Sequence, residues 1–233
     1  MSDRHIPFLR AARVFALILA AILMASVTTA QTPNVPEDGG AAHANPAGAK
    51  QVETIVIFRH GEKPAAGLGQ ISPQGFNRAL GLVKVLPEKF GKPDALFAPD
   101  PREKVQDFGK LYNYVRPLAT IEPLAISLGM PVQTPCGYRD VEELEDALCD
   151  PRYAQATIFV AWEHGYAQRA AADLVKRFGG DEHDVPKWSG SDYDSLYVVK
   201  IERSGGAQPK VTFVHEQENL DDQSKTMPAP TAK

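Results

Sequence analysis

The chain has 233 residues, 43% of them apolar, with 25 Lys and Arg against 29 Asp and Glu for a net charge of −4. A mildly acidic chain without a basic run excludes a protein that binds nucleic acid by neutralising its phosphates. Two cysteines exclude a disulfide-built scaffold, and the six histidines show no metal-cage spacing.

Residues 1–30 read as a secretory signal peptide. Arg4, Arg10 and Arg13 precede an apolar stretch from Val14 to Ala25, and the small residues that follow favour cleavage near Ala30. That core is shorter than the ~18 residues of a membrane span, so the expectation is export, to periplasm or medium, without stable membrane association afterwards. These residues hold three of the 25 basic and one of the 29 acidic residues, so the remainder carries −6. Residues 31–50 are rich in Ala, Pro, Gly and Asn without periodicity and read as a disordered linker. Residues 51–220 read as one α/β domain, and 221–233 as a disordered tail.

The run Thr54–Phe58 is continuously β-branched or aromatic, which predicts a buried parallel strand, and it ends in Arg59-His60-Gly61. In open α/β sheets the ligand site lies beyond the carboxyl ends of the strands. Ser72 suits an N-cap and Pro73 a first helical residue, which predicts a helix there. Asp94–Ala98 reads as a short strand and Arg102–Tyr114 as a helix. Pro117 and Gly129 suit the first turn and the C-terminus of a further helix, with Arg116 at its N-terminus, where free N–H groups favour anions. Val141–Leu148 reads as a helix with an acidic face.

A second strand of the first design, Thr157–Trp162, ends in Glu163-His164-Gly165 and leads into a helix over Tyr166–Phe178 closed by Gly179-Gly180. Two such strand-His-Gly-helix units can put two imidazoles side by side at one sheet edge. Ser195–Arg203 and Lys210–Glu216, joined across Ser204-Gly205-Gly206, predict a terminal hairpin that extends the sheet. The expected architecture is a three-layer α/β/α sandwich with a mostly parallel central sheet and a C-terminal hairpin.

Arg59-His60-Gly61, Ile71-Ser72-Pro73-Gln74-Gly75-Phe76-Asn77-Arg78-Ala79, Arg116 with Thr120 four residues on, and His164 at a strand end resemble, in order, the motifs of the histidine phosphatase superfamily. The resemblance spans residues 52 to 170. It implies a phosphomonoesterase that needs no metal or other cofactor and acts on a small-molecule phosphate ester. His60 would attack phosphorus and form a phosphohistidine, Arg59 and Arg116 would clamp the phosphate, and a protonated His164 would stabilise the transferring group. Nδ1 of His60 would donate to a backbone carbonyl near Gly61. A phosphomutase and a non-catalytic phospho-ligand-binding protein are the alternatives.

Two features depart from the family pattern. Ala98-Pro99-Asp100-Pro101-Arg102 opens an apparent insert, which makes Arg102 a competitor of Arg116 as second clamp. Gly165 follows His164 where the acid phosphatases carry an Asp, which leaves the general acid open. Glu163 is the first candidate, with Glu142 or Glu143 as mutase-like alternatives. In an exported protein a disulfide between Cys136 and Cys149 is expected over two free thiols. His183 and His215 read as solvated, and Trp188 and Tyr193 either line the site's mouth or pack under the hairpin. Oligomeric state is not legible.

Overall fold

A computed structural model describes residues 50–229. The expected signal peptide, residues 31–49 of the linker and residues 230–233 of the tail lie outside the described residues. In chain order the elements are β1 (Gln51–Arg59), α1 (Pro73–Phe90), β2 (Ala95–Phe97), β3 (Lys104–Asp107), β4 (Lys110–Asn113), α2 (Arg116–Leu128), β5 (Val132–Gln133), α3 (Val141–Leu148), β6 (Thr157–Trp162), α4 (His164–Arg177), β7 (Ser195–Arg203) and β8 (Lys210–Gln217). Among the described residues no helix is long and apolar enough to cross a membrane.

Six strands form one sheet in the order β5-β2-β6-β1-β7-β8. The pairs from β5 to β1 are parallel, while β7 and β8 add antiparallel strands at one edge. Side-chain alternation sorts β1 between two faces. Val56 and Phe58 pack with Leu82 and Leu86 of α1 and Ile121 and Leu124 of α2. Ile55 and Ile57 pack with Leu144 of α3 and Ala170 and Leu174 of α4. These are the expected three layers, and the continuous apolar runs of β1 and β6 follow from burial on both faces.

The helix starts are chemically determined. Ser72 Oγ accepts from Gly75 N–H at 3.1 Å at the start of α1, with Pro73 in the first turn. At the far end of α2, Gly129 takes the left-handed conformation (φ 64) and closes the helix with N–H bonds to Ala125 and Ile126.

Three expectations are corrected. Residues 102–114 are not helical. They form the two-stranded β3–β4 hairpin, with Lys104 paired to Asn113 and Asp107 to Lys110. Phe108 and Gly109 at its tip both have positive φ (48 and 79), as a two-residue hairpin turn of this kind demands. The tail is anchored over its first residues. Asp221 pairs with Arg78 at 3.1 Å, and Asn77 Nδ2 donates to the carbonyls of Ser224 (2.7 Å) and Thr226 (2.8 Å). Cys136 and Cys149 are both free thiols. They lie before and after α3. Burial pushes the thiols up to about 12 and about 11.

Candidate active site

The pairing of β1 with β6 brings the two strand-end motifs together. Arg59 lies beside Trp162 in the parallel register, and the His60 N–H donates to the Trp162 carbonyl at 3.0 Å. His60 and Glu163-His164 therefore leave adjacent strands at the same edge, about 5 Å apart. Gly61 and Gly75 explain how the chain turns there. A Cβ on Gly61 would lie 2.7 Å from the Gly75 carbonyl oxygen, and one on Gly75 would lie 2.5 Å from that of Glu62. Only two glycines let the loop after β1 rest on the first turn of α1.

His60 is 3% exposed. Its Nδ1–H donates to the carbonyl of Gly61 at 2.8 Å, the bond expected from the sequence, and this leaves Nε2 with its lone pair free. Burial lowers the imidazole pKa to about 3, and the Arg59 and Arg116 guanidiniums push the same way against the Gly61 carbonyl. The ring is thus neutral at physiological pH. Tyr114 meets it edge-on at 5.9 Å and Tyr193 at 6.1 Å.

Two buried guanidiniums flank this imidazole. Arg59 donates to the carbonyls of Gly190 (2.9 Å) and Asp192 (2.6 Å) and lies 3.7 Å over the Tyr193 ring. Arg116 donates through Nε to the carbonyl of Gln70 at 3.3 Å and forms an ion pair with Asp107. Its helix is tied to the His60 loop, since Thr120 Oγ1 donates to the Arg116 carbonyl and accepts from the Gly61 N–H at 2.9 Å. Arg102 is not a competitor. It is 88% exposed and held by Asp100 at 2.5 Å, whereas Arg116 is buried.

His164 is the first residue of α4, half-buried, with Nδ1 against Glu163 Oε1. A Cβ on Gly190 would lie 3.7 Å from its Nε2, so His164 borders the same loop that engages Arg59. The Glu163 carboxylate is engaged by the chain itself. Its Oε2 caps α4 by accepting from Gly165 N–H (2.8 Å) and Tyr166 N–H (3.1 Å). Burial alone would raise its pKa, but His164 and the two N–H bonds outweigh that and hold the carboxylate below the usual range. Glu142 and Glu143 lie exposed on α3, Glu142 with 90% of its side chain in solvent. Trp188 stacks on Tyr197 under the hairpin while Tyr193 faces His60, so the two aromatics divide between the two expectations.

The sequence matches no protein-family model, and no curated protein matches it significantly. Solved structures do resemble it. A mycobacterial glucosyl-3-phosphoglycerate phosphatase is 12% identical, covering 70% of this chain and 97% of its own, with a TM-score of 0.49. A putative phosphohistidine phosphatase from Agrobacterium tumefaciens is 13% identical over 70% of this chain and 97% of its own, with a TM-score of 0.44. A phosphoserine phosphatase variant from Entamoeba histolytica is 11% identical over 72% and 98%, with a TM-score of 0.42.

Two features of the site are not legible as such in the sequence. One is Asp107, whose carboxylate reaches Arg116 from the β3–β4 hairpin. The other is the wholly buried Arg78, bound to Glu62 (2.9 Å), Asp194 (3.2 Å), Glu218 (2.7 Å) and Asp221 (3.1 Å). Glu62 follows the His60-Gly61 pair, and Asp194 follows the loop that engages Arg59, so Arg78 ties both site loops to α1. Arg78 stands in the Ile71–Ala79 motif of the sequence, but nothing local announces its burial or its four carboxylate partners.

Proposed function

We propose that this protein is an exported phosphomonoesterase that works through a phosphohistidine on His60. One observation carries the reading: a buried, neutral imidazole whose Nδ1–H is committed to Gly61, with Nε2 unbonded and the buried Arg59 and Arg116 guanidiniums close enough to act on the ring. A group in that state can attack at neutral pH without first losing a proton, and the two cations match a phosphate dianion.

In this reading the phosphate displaces the chain's own oxygens from Arg59 and Arg116. The His60 Nε2 lone pair forms the N–P bond while the bond from phosphorus to the leaving oxygen breaks. His164, oriented by Glu163, donates to the phosphoryl oxygens as negative charge gathers on them. Positioned donors of this kind are worth ~3–4 kcal/mol each in a water-poor site. Water then attacks phosphorus and restores His60. Residues 1–30 act as the signal, which requires the recovered protein to start near Gln31.

The test is phosphate release by wild type and His60→Ala from p-nitrophenyl phosphate and a panel of natural monoesters, with matched circular dichroism. Turnover by the wild type alone, with an acid-labile phosphoenzyme on His60, supports the reading. Full activity in His60→Ala sinks it.

A second reading, a phosphate-binding protein without turnover, draws on the closed site: His60, Arg59 and Arg116 are each 3% exposed and the guanidiniums are already occupied by the chain. Phosphate binding by calorimetry with no turnover of any ester would favour it.

A further inference from the structure

The phosphomonoesterase reading leaves one group unassigned, the acid that protonates the departing oxygen. Glu163 is engaged by two backbone N–H groups and His164. Glu62 is engaged by Arg78, and the Asp192 carboxylate by Ser195 and the Asp194 N–H. Asp107 likewise accepts a backbone N–H, from Gly69, but differs from all three in its charged partner. Its charged partner is Arg116, the very guanidinium that a phosphate would take.

The chain is built to bring this carboxylate in. Asp107 is the last residue before the hairpin tip and is 7% exposed, whereas Phe108 beside it is 80% exposed. Asp107 Oδ2 also accepts from the Gly69 N–H at 2.9 Å. A Cβ on Gly67 would lie 2.3 Å from Asp107 Cγ, and one on Gly69 would lie 2.1 Å from the Asn113 carbonyl oxygen, so the loop after β1 has glycines where the hairpin presses on it. Arg116, which holds the carboxylate, and His60 both lie against the Tyr114 ring, at 5.3 and 5.9 Å.

We propose that Asp107, carried into the site by the β3–β4 hairpin, is the proton donor to the leaving oxygen; the proposal rests on the phosphomonoesterase reading. In the empty site its carboxylate neutralises Arg116. A phosphate dianion that takes Arg116 replaces Asp107's neighbouring cation with an anion. A buried carboxylate beside an anion binds a proton. Substrate entry therefore arms the acid, with the proton drawn from solvent.

The steps balance. His60 Nε2 supplies the electron pair of the N–P bond, and the P–O electrons pass to the leaving oxygen. That oxygen takes the Asp107 proton, which yields a neutral alcohol, an Asp107 carboxylate and a phosphohistidine. In the second half the carboxylate accepts a proton from the attacking water, the N–P electrons return to His60, and hydrogen phosphate forms. When it departs, Asp107 releases its proton and returns to Arg116.

The experiment compares wild type with Asp107→Asn, which keeps an acceptor for the Gly69 N–H, across esters from p-nitrophenyl phosphate to glycerol phosphate. Loss of a general acid is expected to lower kcat/KM, which reports the first half-reaction alone, by about 10²–10⁴-fold on the alkyl ester and by less than about tenfold on the nitrophenyl ester. Inorganic phosphate should inhibit the variant more strongly, because Arg116 is no longer engaged by a carboxylate. An equal loss on both esters, or a gain on both, overturns the proposal and makes Asp107 a plug or a structural contact. The wild type alone gives a second check: with an acid in place its kcat/KM should depend weakly on leaving-group basicity, and a steep dependence overturns the proposal even if the variant does not fold. A wild type that turns over no ester sinks the phosphomonoesterase reading itself, an outcome distinct from a flat loss in Asp107→Asn.

Discussion

The Arg78 guanidinium lies 2.7 Å from the Glu218 carboxylate, and neither side chain is exposed to solvent. One cation here serves four carboxylates, so the acidic side of the cluster is in excess. Burial drives the Glu218 pKa up to about 8, Arg78 opposes that rise, and Asp194 and Glu62 add to it. The folded state therefore binds a proton more tightly than the unfolded chain, whose Glu titrates near 4.5. This group's contribution to stability is fully present below that lower value and is lost as pH rises through about 8. Urea melts between pH 5 and pH 8.5 should show declining stability, and Glu218→Gln should flatten the decline. Arg78→Met, which strands buried carboxylates, should cost about 3–5 kcal/mol at pH 7.

The Glu163 carboxylate caps α4 and contacts His164, which in the proposed mechanism leaves it out of proton transfer to the leaving group. Glu163→Ala should lower stability by about 0.5–2 kcal/mol through the lost cap. Its rate loss should be the same for p-nitrophenyl phosphate and for an alkyl phosphate. A selective loss on the alkyl ester would return Glu163 to the role of acid.

Arg116 and Arg102 separate sharply. Arg102→Ala, at an exposed pair, should leave phosphate inhibition and stability within error, since such pairs contribute little. Arg116→Ala should weaken phosphate inhibition and lower kcat/KM by about 10²–10³-fold. Steady-state kinetics with phosphate as inhibitor distinguish the two.

The cysteines give a structural check. With both thiols free, a reductant should leave the melting temperature unchanged, and alkylation under denaturing conditions without reductant should modify both Cys136 and Cys149. A mass lower by two hydrogens and resistant to alkylation would show a disulfide instead.

What the sequence could reveal was set by short-range rules. Continuous apolar runs marked β1 and β6, because strands buried on both faces lack alternation. Ser72-Pro73 and Gly129 marked helix ends, because caps and left-handed turns select those residues. His60, Arg59, Arg116 and His164 were legible because each sits at the end of such an element, where α/β sheets present ligands. The hairpin at residues 102–114 was misread because its only strong local signal, a two-residue turn, placed Phe rather than Asn before the Gly.

The sequence by itself determined β1, β6, the terminal hairpin, the main helices and the residues the two strand ends deliver to one edge. Only the tertiary structure decided which of those residues are free. Glu163 is a cap because Gly165 and Tyr166 present their N–H groups to it, and Asp107 belongs to the site because a hairpin folds it onto Arg116. Arg78 is buried because residues from both ends of the domain converge on it. Charge pairing between distant segments leaves no periodic trace in the chain, since it depends on where the backbone brings two side chains and not on their spacing in sequence.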